Sequence, residues 1–202
     1  MIPAVPRLVL ASQSPTRAAL LHGAGIAFTT DAAAVDEAEI KAAFKARGAR
    51  VEVAAEALAE LKARRVQARH PGAFVIGADQ ILSDGSTWFD KPATTAEARH
   101  QLGQLAGRRH ELVTAVCVLG DGERLWHHIA RASLAMRPLD PTTIDRYLDL
   151  VGDQGLATPG AYRIEGPGVQ LFAAVEGDYA GILGLPLLPL LAFLRGHGFG
   201  LP

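Results

Sequence analysis

The sequence predicts an α/β or α+β fold built around one main sheet. Two patterns carry the prediction. Short apolar runs bounded by glycine, proline or aspartate read as strands, and longer stretches with apolar residues three and four apart read as helices. A third observation joins them: strands and helices are mixed along the chain, some neighbours close enough for hairpins and others requiring crossovers. The 202 residues, 49% apolar and 20% charged, have a globular composition. That length suits one domain, taken here as residues 1–202, or two closely joined lobes.

Residues 7–11 (RLVLA) read as a buried strand, followed by the turn Ser12-Gln13-Ser14-Pro15. Ser14 suits an N-cap and Pro15 a first helical position, starting a helix through Leu21 that Gly23 and Gly25 end. A second strand is expected over 26–30. Residues 36–47 and 51–69 read as helices, with Ile40 and Phe44, then Val53, Leu58 and Leu61, at helical spacing; His70-Pro71-Gly72 stops the second. Residues 74–78 (FVIGA) form a short buried strand ending on Asp79, and Asp84-Gly85 turns the chain toward a return strand at Trp88-Phe89. Thr94-Thr95-Ala96-Glu97 is a capping box for a helix to about Leu105. Two long strands, 111–119 and 125–136, meet at Gly120-Asp121-Gly122. Asp140-Pro141 opens a helix to about Val151. Residues 152–168 are glycine-rich and irregular, 169–175 a strand, and 187–197 the last helix. The chain contains no internal repeat or heptad pattern.

Net charge is −1, so no global basic field draws the protein to nucleic acid or an anionic membrane, and a polyanionic ligand must be held by local cations. The lone Cys117, inside the apolar run 115–119, makes no internal disulfide, which fits a reducing cytoplasm, and reads as a buried small side chain. The start, Met1-Ile2-Pro3-Ala4-Val5-Pro6-Arg7, lacks the apolar core of a signal peptide. The most apolar stretch, 181–194, is broken by Pro186 and Pro189 and is too short to span a bilayer; it reads as a buried turn leading into a core helix.

Four polar segments, each expected at the end of a strand, carry candidate chemistry. Around Ser12-Gln13-Ser14-Pro15-Thr16-Arg17, a strand, turn and helix N-terminus can hold an anion, with hydroxyls from Ser12 and Ser14 and the planar fork of Arg17; the alternative is ordinary capping by Ser14 and a solvated Arg17. At Gly77-Ala78-Asp79-Gln80 the strand delivers an acid able to hold a divalent metal or act as general base, the small residues leaving room for a ligand, unless Asp79 only caps a loop. At Phe89-Asp90-Lys91-Pro92 proline holds the chain extended beside a lysine suited to phosphate, or to the surface. In Gly160-Ala161-Tyr162-Arg163-Ile164-Glu165-Gly166 the backbone can approach a base while Glu165 reads its edge, unless this is a structural loop in which Arg163 and Glu165 pair with other side chains. Asp36 and Glu37 can simply favour a helix N-terminus, and Lys62, near Arg64 and Arg65, reads by default as part of a solvated cationic face. No Ser/His/Asp or Cys/His arrangement stands out, and His127-His128 lacks metal-ligand spacing with other candidates.

In this order, Leu10-Ala11-Ser12-Gln13-Ser14-Pro15 with Arg17, Gly77-Ala78-Asp79, Lys91-Pro92, Gly160-Ala161-Tyr162, and Gly177-Asp178-Tyr179 with Gly184-Leu185-Pro186-Leu187 resemble the signatures of the Maf family of nucleotide pyrophosphatases over nearly the whole chain. The resemblance implies a central mixed sheet with flanking helices, two lobes around a cleft as in the inosine triphosphate pyrophosphatases, and a homodimer. It implies a nucleoside triphosphate substrate cleaved to monophosphate and pyrophosphate, with magnesium or manganese as cofactor. Asp79 would activate water; Ser12, Arg17, Lys62 and Lys91 match positions lining the phosphate cleft; Glu37 matches an acidic position near the metal, which Asp79 could also ligate. A water held by the metal or oriented by Asp79 would attack the α-phosphorus while the cations stabilise the transition state.

The chain departs from the pattern at three places that resemble the family's specificity positions. Thr16 stands where the first of two adjacent arginines is usual, Gln80 where thymidine/uridine-type members carry threonine, and Glu165 where they carry glutamine. Gln80 and Glu165 are similar to the 7-methyl-GTP subgroup, which has tryptophan at the place of Thr16. A carboxylate accepts only, which suits the adjacent N1–H and N2–H₂ donors of guanine. The expected preference is therefore broad or purine-leaning. The enzyme would remove non-standard nucleotides; the alternative from another class is a nucleotide-binding regulator of septum formation with little turnover.

Overall fold

A computed structural model describes residues 7–201; the start read as no signal peptide lies, but for Arg7, outside them. Among the described residues, β1 (Arg7–Leu10), β2 (Thr29–Thr30), β3 (Ala73–Ser83), β4 (Trp88–Phe89), β5 (Arg109–Gly120), β6 (Glu123–Met136) and β7 (Phe172–Glu176) form one sheet. Its order is β2-β1-β3-β5-β6-β7, with β4 also on β3. β1 runs parallel to β2 and β3, placing Leu10 beside Thr30 and Ile76, while the β3–β4 and β6–β7 pairs are antiparallel. Seven α-helices among the described residues accompany the sheet: α1 (Pro15–Gly23), α2 (Glu37–Ala46), α3 (Val51–Gln67), α4 (Thr95–Leu105), α5 (Pro141–Val151), α6 (Tyr179–Ile182) and α7 (Leu187–Arg195). The mixed α/β expectation holds. None of these helices is long and apolar enough to cross a membrane.

The local start signals act as the sequence suggested. The side chains of Ser14, Asp36, Thr94 and Asp140 each accept a backbone N–H three residues on. In the box at Thr94 the returning Glu97 carboxylate takes the N–H of Ala93 rather than that of Thr94. Asp121 and Gly122 both have positive φ (50° and 84°), the backbone of a tight two-residue hairpin.

The chain forms two compact units. The first comprises Met1–Gln80, Thr114–Ala130 and Asp178–Pro202, and the second Ile81–Val113 and Arg131–Gly177. In the first, Leu8, Leu10, Ile76, Ala78, Val116 and Val118 from the sheet pack with Leu21 of α1 and Leu185, Leu190 and Leu194 of the 181–194 stretch. That stretch is the predicted core helix, preceded by the short α6, which the sequence did not announce. In the second unit α4 and α5 are joined by the Arg99–Asp145 ion pair, and the buried rings of His110 and Tyr162 cluster with the half-buried Phe172.

Four expectations need correction. The strand over 26–30 shrinks to Thr29–Thr30, because Ile26 N–H still donates to Leu21 at the end of α1 and its side chain joins the core. The strand over 169–175 starts only at Phe172: residues 167–171 form a 3₁₀ turn, folded so tightly that a Cβ on Gly168 would lie 2.4 Å from the Arg163 carbonyl oxygen. Of Val53, Leu58 and Leu61 on α3, only Leu58 is fully buried: Val53 is exposed and Leu61 half-buried, while Ala54, Ala55, Ala59, Lys62, Ala63 and Val66 complete the buried face.

The fourth correction positions the site. β3 does not stop at Asp79 but runs on to Ser83, so the acid lies mid-strand between Ala78 and the buried Ile81 and Leu82. Side chains alternate across a strand. Ile76 and Ala78 enter the leucine-rich core, while Gly77 and Asp79 face α3. A Cβ on Gly77 would sit 2.1 Å from Ala59 O and 2.8 Å from Ala63 Cβ. The room at Gly77 is thus filled by helix α3 and not left for a ligand. Gly77→Ala should push the helix off the strand and cost about 1–3 kcal/mol, read as a lowered urea midpoint with unchanged slope.

Candidate active site

Close approach of α3 to β3 puts Lys62, one turn beyond Ala59, beside Asp79. Lys62 Nζ donates to Asp79 Oδ1 at 2.5 Å and lies 2.7 Å from Glu37 Oε1. The default reading of Lys62 as a solvated cation is overturned: the residue is 6% exposed, and Asp79 2%. Glu37 follows the N-cap Asp36 in the first turn of α2, so Asp36 has the capping role and Glu37 is turned to the lysine. The acid that had no evident partner in sequence has one seventeen positions upstream.

The two carboxylates sharing one ammonium are driven apart. Burial pushes Asp79 above its ordinary value; Lys62 pulls it down and Glu37 adds to the rise, and burial wins. Burial also opposes ionisation of Glu37, but the charge and hydrogen bond of Lys62, with Lys41 and Arg17, hold it below the ordinary carboxylate value. Asp79 Oδ2 is buried without a hydrogen-bond partner. Asp79 is therefore the more basic carboxylate, with one oxygen tied and one open, while Glu37 stays anionic. Lys41, at 9% exposure, was not singled out in the sequence; its place one turn after Glu37 was the available signal.

Arg17 is not a solvated side chain either. Nε donates to Gly184 O at 2.8 Å and Nη1 to Ser12 Oγ at 3.2 Å, while its backbone N–H donates to the Ser14 cap at 3.3 Å. Ser14 N–H donates in turn to Ser12 Oγ at 3.1 Å. Gly184 has φ +95°, and a Cβ there would sit 3.1 Å from Arg17 Nε, so glycine suits this contact twice over. Burial lowers the Arg17 pKa against the raising fields of Asp79 and Glu37, and a guanidinium remains charged throughout.

Ser12, Ser14, Arg17, Glu37, Lys62 and Asp79 thus belong to the first unit, as do Thr16, half-buried in the first turn of α1, and Gln80. Gln80 Nε2 donates to Thr114 Oγ1 at 2.8 Å, Ile182 O at 3.0 Å and Gly181 O at 3.1 Å. The backbone carbonyls fix which end of the amide is nitrogen, and its donor capacity is engaged within the unit. Lys91 and Glu165 belong to the second unit. Lys91 is exposed, between buried Phe89 and Pro92. Glu165 Oε1 accepts from Arg163 Nε at 3.0 Å, so these two residues pair with each other, and Arg163 Nη1 also donates to Gln154 Oε1 at 2.6 Å. Cys117 is buried, and burial pushes its thiol up to about 12, so it is no nucleophile at neutral pH.

Removing the ammonium tests this electrostatic frame. Lys62→Met removes the cation paired with both carboxylates, leaving only the fields of Arg17 and Lys41, and should cost about 3 kcal/mol at neutral pH. Without Lys62 the Asp79 pKa rises further above its unfolded value. The deficit should be full above the folded pKa and shrink as pH falls toward the ordinary carboxylate range. Denaturation of both proteins between pH 5 and 8 would reveal the narrowing gap, and a constant gap would refute it.

The family model described as Maf-like protein matches residues 7–197. The chain is 54% identical over 194 residues to the nucleoside triphosphate pyrophosphatase of Rhodospirillum rubrum, covering 96% of each chain. It is 50% identical over 189 residues to the 7-methyl-GTP pyrophosphatase of Brucella abortus biovar 1, covering 94% of this chain and 95% of that one. With the 7-methyl-GTP pyrophosphatase of Rhizobium johnstonii it shares 46% identity over 193 residues, 96% of this chain and 97% of the relative. Matched across nearly its whole length, the chain belongs to the Maf-like protein family.

Proposed function

We propose that the protein hydrolyses a nucleoside triphosphate to the monophosphate and pyrophosphate, by attack of water on the α-phosphorus. The observation that carries the proposal is Asp79: a buried carboxylate of raised basicity, anchored by Lys62 through Oδ1 and left with Oδ2 free to take a proton. The relatives' names, nucleoside triphosphate and 7-methyl-GTP pyrophosphatase, support the same chemistry.

In the proposed reaction Asp79 orients a water and accepts its proton as the new P–O bond forms. The bond from the α-phosphorus to the bridging oxygen breaks, and pyrophosphate leaves with its electron pair. Arg17, Lys62 and Lys91 offset the growing negative charge, and the hydroxyls of Ser12 and Ser14 add donors. Glu37 and Asp79 each give one oxygen to the Lys62 ammonium, and the hard oxygens they retain, with substrate phosphate, would hold magnesium or manganese. Bound there, the cation would supply further neutralisation of the phosphate oxygens.

Base selection is assigned to Thr16, Gln80 and Glu165. With its amide nitrogen engaged, Gln80 presents an acceptor, and Glu165 as a carboxylate also only accepts. An acceptor at either position favours the donor edge of guanine, plain or methylated, over uracil. Thr16 provides no ring to stack on a cationic base.

Pyrophosphate release from GTP, 7-methyl-GTP, UTP, dTTP, CTP and ITP with magnesium or manganese tests this. Asp79→Asn should lower turnover by about 10³-fold with the fold retained. Nucleotide binding without release by the wild type would instead indicate a regulatory nucleotide binder. In the metal-free protein the Asp79 carboxyl should titrate above the ordinary aspartate range, followed by carbon-13 NMR. In Glu37→Gln, which removes a charge that raises it, that titration should move to lower pH. Glu165→Gln should shift preference from GTP toward UTP; an unchanged ratio counts against this base assignment.

A further inference from the structure

Two segments of the second unit that matter to the proposed function are joined by one side chain outside both. Gln101, on α4, donates from Nε2 to Asp90 O at 3.0 Å and accepts at Oε1 from Gly160 N–H at 2.9 Å. A carbonyl demands the amide nitrogen and an N–H demands the oxygen, so both ends of the amide are specified. Asp90 immediately precedes Lys91, and Gly160 opens the segment that carries Glu165.

That segment needs external restraint. Gly160 has φ 76° and Ala161 φ 59°, a left-handed conformation uncommon for a residue with a Cβ. Such backbone persists only where its surroundings over-determine it. A Cβ on Gly160 would lie 2.8 Å from both Leu82 Cδ1 and Tyr162 Cε1. Further along, the Tyr162 hydroxyl meets the buried His110 Nε2 at 2.9 Å and Thr158 Oγ1 donates to Tyr162 O at 2.7 Å. Arg163 N–H donates to the Tyr147 hydroxyl at 3.3 Å. These bonds hold the segment to its own surroundings. Gln101 holds its first residue and, with the other end of the same amide, the backbone beside Lys91.

We propose that Gln101 is a positioning residue that sets the spacing between Lys91 and Glu165 and so couples triphosphate binding to base selection. This rests on the reading of Lys91 as a phosphate contact and Glu165 as a base contact. Only a side chain with a donor and an acceptor at this reach makes both bonds. Glutamate keeps the acceptor for Gly160 and faces Asp90 O without a donor, and leucine keeps neither.

The test is equilibrium titration of wild type, Gln101→Leu and Gln101→Glu with non-hydrolysable α,β-imido analogues of GTP and UTP, with pyrophosphate release from GTP and UTP themselves and melting temperature measured in parallel. Gln101→Leu should weaken binding by about tenfold and bring the GTP-to-UTP affinity ratio toward one. Gln101→Glu should weaken both analogues alike while keeping the wild-type ratio. Melting temperatures should stay near wild type, since the side chain is only partly buried. An unchanged ratio in Gln101→Leu overturns the proposal. So does a wild type that does not distinguish the analogues, or an equal loss in both variants that follows a fall in melting temperature. A wild type that binds the analogues but releases no pyrophosphate refutes the hydrolytic reading instead, and the titration still decides the role of Gln101.

Discussion

The first unit is arranged around the burial of one ammonium between two carboxylates. Taking Lys62 and Asp79 out of water is costly, and only close geometry with additional partners offsets the loss of hydration. That geometry depends on residues that do nothing chemical. Gly77 removes the side chain that would hold α3 away, and Ala59 and Ala63 present a flat helix surface on either side of the lysine. Behind the strand, Ile76 and Ala78 anchor β3 in the leucine-rich core, so the sheet cannot yield when the helix presses against it. The ion pair and the apolar packing are two faces of the same strand.

The electrostatic arrangement is asymmetric for a simple reason. Asp79 is almost fully buried and Glu37 is not: the Glu37 side chain is 43% exposed and the Asp79 side chain 3%. The same lysine therefore leaves one carboxyl with a raised pKa and the other with a lowered one. Arg17 adds a second fixed cation whose direction is set by Gly184 and Ser12 rather than by either carboxylate. Charges held by backbone and hydroxyl groups need little reorganisation when a polyanion replaces water.

Features written in adjacent residues were legible in the sequence: the caps at Ser14, Asp36, Thr94 and Asp140, the Asp121-Gly122 hairpin and the leucine helix α7. Those that depend on which helix face meets which strand were less so. Lys62 sits among arginines on a helix whose buried face is mostly alanine, so periodicity of large apolar residues pointed to Val53 and Leu61 and missed it. Nothing in FVIGA indicated that the strand would continue through an acid, because the compensating ammonium comes from a different element. Gln80 stood out by family resemblance, but its engagement by Thr114 and the carbonyls of α6 was invisible, α6 itself being too short to show a period. Gln101, a half-exposed glutamine on a helix, carries no local signal at all.

The interleaving of the two units along the chain has a consequence for how the protein is made. Leu8 and Leu10 share a core with Leu185, Leu190, Leu194 and Phe199, and Arg17 bonds to a carbonyl 167 positions away. During synthesis β1 can pair with β2 and β3 early, but its leucines wait for their C-terminal core partners until nearly the whole chain has left the ribosome. Long-range closure of this kind slows folding and leaves strand edges and leucine-rich surface exposed in the meantime. A ribosome stalled before α7 would display the very residues that the finished protein hides.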